Sequence, residues 1–119
     1  MNIRHAWLAA SGAVIAAAAI ALAAYASHAV HGVDQSRLQT AAVFAFGNGL
    51  ALAALAPSTT RTLGQLALFA LLLGLVLFSG SLTASVLARW PTTLAPMGGL
   101  LMIGGWLALA VDFIRRGER

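Results

Sequence analysis

No cysteine and no lysine occur in this chain, and only three residues are acidic. Without thiols there is no disulfide, thiolate nucleophile, thiolate metal site or iron–sulfur cluster, and cysteine usage gives no reading of redox compartment. Without lysine, all seven basic side chains are arginines. Charged residues make up 8% of the sequence against 61% apolar ones, too little polarity to cover a water-soluble globule. The bilayer is therefore the expected solvent. The net charge of +4 does not point to nucleic acid, because the arginines lie at the ends of apolar runs and form no stripe interleaved with aromatics.

At 119 residues the chain has room for one domain of about four spans with short connectors. The apolar runs predict spans at about 6–26, 38–56, 63–88 and 94–114. Pro57 and the cluster Ser58-Thr59-Thr60-Arg61 close the second run, since such a stretch cannot stay dry in hydrocarbon. Arg89-Trp90-Pro91 closes the third, which is longer than a bilayer requires and is expected to tilt or project, with Trp90 at headgroup level. Pro96 falls in the first turn of the fourth, where a missing amide is tolerated. The expected fold is all-α, an integral membrane bundle of four transmembrane helices over residues 1–119.

With four crossings, both termini and the second connector share one side of the membrane. That side carries Arg4, Arg61, Arg115, Arg116 and Arg119, against Arg37 and Arg89 opposite. The positive-inside bias then predicts cytoplasmic termini in a bacterial inner membrane, with Tyr25–Arg37 facing the other compartment. Arg4, an apolar run and the triplet Ala24-Tyr25-Ala26 imitate a cleavable secretory signal. The apolar stretch Ala6–Ala24 is longer than a usual signal core, and the first span is expected to be retained.

Lipid tails are as apolar as leucine, so such helices must meet through small residues that allow close backbone approach. Ala41, Ala45, Gly49 and Ala53 recur every four residues in the second span, and Gly80, Ala84 and Ala88 do so in the third. In the fourth, Gly98, Gly105 and Asp112 are seven apart, and Gly104, Ala108 and Asp112 four apart. Each set is expected to mark a packing face.

Three words in the chain carry a resemblance: Ser27-His28-Ala29-Val30, the run Leu77-Phe78-Ser79-Gly80-Ser81-Leu82, and Pro96, Gly98, Gly99, Gly105 and Trp106. Together they resemble the small four-span membrane proteins grouped as "domain of unknown function 423", related to transmembrane protein 256. The resemblance implies an integral membrane protein of undefined activity. Ala95 stands where that family usually has threonine. Asn48 stands where a second-span histidine would fall, so a role resting on that histidine does not carry over.

The polar residues supply the candidate sites. His28, His31 and Asp34 are spaced three apart, and a continuous helix would put them on one face as a weak metal site. Gly32 is expected to end the helix and break that face, leaving a wet connector. His28 is then expected to make a structural hydrogen bond. Ser79 and Ser81 lie in a span with no histidine or lysine to activate a nucleophile, so packing is their expected role. Asn48, near midspan, needs partners inside the bundle, from a neighbouring helix or a ligand. Asp112 is expected at the interface, paired with an arginine three or four residues on. Arg115, Arg116 and Arg119 suit anionic lipid headgroups, at about 1 kcal/mol each.

An enzyme is not expected, for there is no His-rich metal spacing and no carboxylate pair, and no cofactor is implied. A small oligomeric transporter or a lipid-handling protein is the main alternative, the former because the small multidrug-resistance exporters also have four helices in about this length. Those carry an essential glutamate in the first span, whereas this first span has no acid. A structural or accessory protein that packs with membrane lipids, itself or a larger complex requires no missing chemistry and is the expected class.

Overall fold

A computed structural model describes residues 2–117, so Arg119 lies outside the described residues. Four helices follow in order: α1 (Ile3–Ala29), α2 (Gly32–Leu55), α3 (Thr62–Leu87) and α4 (Ala95–Gly117), with one 3₁₀ turn (Ala56–Ser58) after α2. All four are long and apolar enough to cross a membrane. They form an all-α bundle with extents of 51 × 24 × 20 Å.

Local chemistry sets the helix ends. The Asn2 side chain caps α1 by accepting from the His5 amide at 3.1 Å. Past Leu55, Pro57 lacks the amide a further turn would need. The Thr59 amide turns to the Ala56 carbonyl at 3.3 Å, and the Leu55 carbonyl accepts from Thr59 Oγ1 at 2.6 Å instead. At the end of α3, Arg89 takes a left-handed conformation (φ 57°), and the Trp90 amide turns back to the Ala84 carbonyl at 3.2 Å.

The first connector is shorter than the sequence suggests. Only Val30 and His31 separate α1 from α2, and both are extended. Gly32, expected to end a helix, opens one, with φ +68° at the reversal. The helix includes Val33-Asp34-Gln35-Ser36, a polar first turn that lengthens it beyond its apolar run.

The bundle consists of two hairpins, α1–α2 and α3–α4, joined along α2 and α3. Their inward positions step alternately by three and four. In α1 these are His5, Leu8, Gly12, Ile15, Ala19, Leu22 and Ala26; in α4 they are Ala95, Gly98, Met102, Gly105, Leu109, Asp112 and Arg116. That seven-residue period belongs to left-handed helix bundles. The outer faces are equally apolar, with Trp7, Ile20, Val43, Leu66 and Leu107 exposed, while Asn48, Ser79, Ser81, Ser85 and Asp112 are inside. Apolar outside and polar inside inverts the pattern of a water-soluble bundle, as a lipid solvent requires.

Glycine sets the spacing within each hairpin. A Cβ on Gly12 would strike the Gly49 carbonyl oxygen, and one on Gly49 would lie 2.8 Å from the Gly12 oxygen. Gly74 and Gly98 are related in the same reciprocal way, at 2.7 and 2.6 Å. Two of the expected small-residue faces are therefore contacts, through Ala41, Ala45 and Gly49 and through Gly98, Gly105 and Asp112. The set Gly80, Ala84 and Ala88 is not one: Gly80 and Ala88 are exposed, and a Cβ on Gly80 would meet nothing. Gly104 likewise faces outward. The heptad faces of α3 and α4 pass beside these residues.

Candidate functional site

Polar side chains concentrate at three depths: the end of the bundle that holds the N-terminus, midspan, and the opposite end. At the first, the beginnings of α1 and α3 meet the ends of α2 and α4. Asp112, on the last inward turns of α4, is wholly buried there. Its Oδ2 lies 3.1 Å from Arg116 Nε, one turn on, and its Oδ1 lies 3.7 Å from Arg61 Nε in the connector before α3. Asp112 is thus buried within the bundle, and the expected i+4 arginine is one of two partners.

Neither ion pair has hydrogen-bond geometry, so proximity of charge holds the carboxylate in place. Both Asp112 oxygens, Arg61 Nη1 and Arg116 Nη2 are buried without a hydrogen-bond partner. Gly64 makes the room, for a Cβ there would lie 2.7 Å from Asp112 Oδ2. The carboxylate consequently rests against the first turn of α3, which has no side-chain cap and whose amide dipoles favour negative charge. The Arg116 guanidinium lies 5.5 Å from the centre of the Phe113 ring. Arg115 is exposed.

His5 belongs to the same end and was not singled out as a site in the sequence. It is buried, and its Nε2 lies 2.7 Å from Gln65 Nε2, tying α1 to α3. An amide nitrogen can only donate, so the imidazole Nε2 accepts in this arrangement. Topology supplies the missing signal: with four crossings, the starts of the first and third spans lie at one depth, which aligns His5 with Gln65.

At midspan the amide of Asn48 is occupied on both sides. Its Nδ2 donates to the Phe44 carbonyl at 2.9 Å, and its Oδ1 accepts from the Trp106 indole at 2.8 Å, joining α2 to α4. Ser79 Oγ donates to the Ala41 carbonyl at 2.9 Å and joins α3 to α2. Beside them the Phe44 and Phe78 rings meet edge-on with centroids 4.9 Å apart. Ser81 is buried and its hydroxyl has no partner.

At the opposite end the three metal candidates do not converge. His28 and His31 are exposed, and Asp34 pairs with Arg89 at 3.1 Å. Among the described residues no group of three or more histidine, cysteine, aspartate or glutamate side chains could hold a metal ion. The extended Val30–His31 break removes the common helical face that would have aligned them. The structural hydrogen bond expected of His28 is made instead by Gln35, whose Nε2 donates to the Ala26 carbonyl at 3.1 Å.

The larger hollows are grooves on the outer surface. One of about 760 Å³ runs between α1 and α2 past Ile20, Ala23, Val43 and Phe46. One of about 540 Å³ lies between the start of α2 and α3, beside Ser36, Arg37, Thr40, Phe78 and Leu82, and another, of about 460 Å³, lies between α1 and α3 beside Ala18, Leu22, Val76 and Gly80. The first and last are lined mainly by apolar side chains, whereas the second has Ser36, Arg37 and Thr40 in its wall.

A family model described as "Protein of unknown function (DUF423)" matches residues 22–99. The match covers more than half of the chain, which belongs to that family. It includes the Ser27–Val30 and Leu77–Leu82 words and the start of α4. No curated protein and no solved structure matches the chain.

Proposed function

We propose that this member of the family is a non-enzymatic accessory protein of the bacterial inner membrane, working through packing and lipid contact. The observation carrying that reading is the use of two midspan polar groups: Asn48 accepts from Trp106 of α4 and Ser79 donates to Ala41 of α2, so both join helices. A membrane transporter needs polar groups free to meet cargo along a water-lined path. Here the largest hollow is apolar and opens outward, which suits acyl chains, and the one that holds Ser36, Arg37 and Thr40 lies at the end of the bundle rather than at Asn48.

Orientation belongs to the same proposal. Among the described residues, Arg4, Arg61, Arg115 and Arg116 cluster at one end, while Arg37 and Arg89 lie at the other, where Asp34 offsets Arg89. The positive-inside bias favours cytoplasmic termini. The partners proposed are membrane lipids and further membrane protein, a second copy or a larger complex, and not nucleic acid.

Native mass spectrometry of the protein released gently from its own membrane tests this. Lipid adducts on the chain, alone or with protein partners, are the expected result. A stoichiometric metal or small polar molecule would contradict it.

A further inference from the structure

We propose that the hollow between the start of α2 and the last turns of α3 seats an anionic phospholipid, with its headgroup phosphate on Arg37 and an acyl chain along Leu82 and Phe78. The inference rests on the lipid-contacting reading above and gives it an address.

The hollow holds about 540 Å³, and Ser36, Arg37 and Thr40 in its wall share one face of α2. All three are exposed, so a ligand in the hollow can reach them. A guanidinium carries five N–H donors, and Arg37 directs one of them, through Nη1, to Ser85 Oγ on α3 at 3.5 Å. The Ser85 hydroxyl donates in turn to the Leu82 carbonyl at 2.7 Å. That contact orients Arg37 against α3 and leaves its charge unmatched.

Charge at this end of the bundle selects the sign of the ligand. Asp34 is the one acid here among the described residues, and both its oxygens face Arg89 Nη1, at 3.4 and 3.1 Å. Asp112 belongs to the opposite end, where α4 closes at Gly117, the residue before Glu118. Two arginines against one carboxylate leave the charge of Arg37 over, and protonation of His28 or His31 would only add to it. Phosphate suits the vacant donors, because it offers several oxygens to the guanidinium fork and to the hydroxyls of Ser36 and Thr40 at once.

Position selects the source of the phosphate. Ser85 lies in the last turn of α3, so the guanidinium beside it stands where spanning helices leave hydrocarbon for headgroups. Helical side chains lean toward the N-terminus of their helix, which on α2 is the same direction. Leu82 and Phe78 follow one and two turns deeper than Ser85, both half-buried, and carry the wall of the hollow into the apolar span. A hollow charged at its mouth and apolar below matches a phospholipid, whereas free phosphate would use the mouth alone.

The test uses the full chain in phosphatidylcholine nanodiscs containing a minority of phosphatidylglycerol, with retained lipid read by native mass spectrometry. Arg37→Gln should lower phosphatidylglycerol retention about fivefold, the loss expected from one arginine contact. Thr40→Phe narrows the hollow with every charge left in place, and should lower retention as well. Both positions are exposed, so both variants should unfold at the temperature of the parent. Ser36→Leu narrows the same hollow from the next turn and takes the place of Thr40→Phe should that variant not fold. A loss in Arg37→Gln alone would reduce the effect to surface charge and overturn the site. A loss in neither, or in Thr40→Phe alone, would overturn it too, and general lipid contact would stand.

Inorganic phosphate added to phosphatidylcholine-only discs separates the two sources. Phosphate bound there and lost in Arg37→Gln, with phosphatidylglycerol not retained by the unmodified chain, would overturn the lipid occupant. An unmodified chain that retains no lipid of either kind would overturn the lipid-contacting reading together with the site.

Discussion

The indole of Trp106 donates a hydrogen bond to the side-chain oxygen of Asn48 at 2.8 Å, across 58 positions of sequence, and so ties α4 to α2. The Asn48 amide nitrogen is meanwhile held by the Phe44 carbonyl. A strongly polar side chain is thereby made compatible with the middle of an apolar span. Replacing Asn48 by Ala or Trp106 by Phe should each destabilise the folded chain by about 1 kcal/mol, with a coupling of about 0.5–1.5 kcal/mol in a double-mutant cycle. Unfolding in detergent measures this, and strictly additive effects would show that the bond contributes nothing.

The glycines divide into two groups with opposite expected behaviour. Gly12→Ala or Gly74→Ala pushes a methyl group into a backbone carbonyl of the partner helix and should cost about 1–3 kcal/mol. Gly80→Ala and Gly104→Ala add the same methyl to open surface and should be neutral or stabilising by up to about 1 kcal/mol. Thermal unfolding of the four variants checks the division.

Much of this arrangement is legible in the sequence, and what is not has physical causes. Four apolar runs give four helices because hydrocarbon allows little else. Hydropathy measures what lipid covers rather than where a helix starts, so the polar first turn of α2 is read as connector. Asp112 with Arg116 follows from the 3.6-residue period, but Arg61, 51 positions away in a loop, does not. The small set at Gly80, Ala84 and Ala88 misleads because core and lipid faces of α3 are almost equally apolar, and a four-residue recurrence does not say which face it lies on. Asn48 and Ser79 announce themselves as polar residues within spans, whereas their partners become visible only once the helices are placed.

Asp112 holds two arginines that would otherwise repel. Asp112→Ala should destabilise the bundle by about 1–3 kcal/mol, less than for a fully buried pair because both arginines are partly exposed. Unfolding in detergent measures this, and no loss of stability would show that the carboxylate does not hold the two arginines.

The absence of native cysteine gives labelling experiments a clean background. Ser36 and Ser58 are exposed at opposite ends of α2 and its 3₁₀ extension. In intact bacteria a membrane-impermeant maleimide should modify Ser36→Cys and spare Ser58→Cys until the membrane is opened. The reverse pattern would invert the proposed orientation.

The central claim is that Asn48 and Ser79 hold helices together at midspan and meet no water. Ala45, buried on α2 one turn before Gly49, lies at that depth and makes no side-chain hydrogen bond that a substitution would break. Labelling of Ala45→Cys with the impermeant maleimide, from the outside in intact cells and from the inside in inverted vesicles, is the most direct test. No modification is expected from either side until the protein is denatured. Modification in the folded protein from one side or both would reveal a water-filled path to Asn48 and favour a transporter.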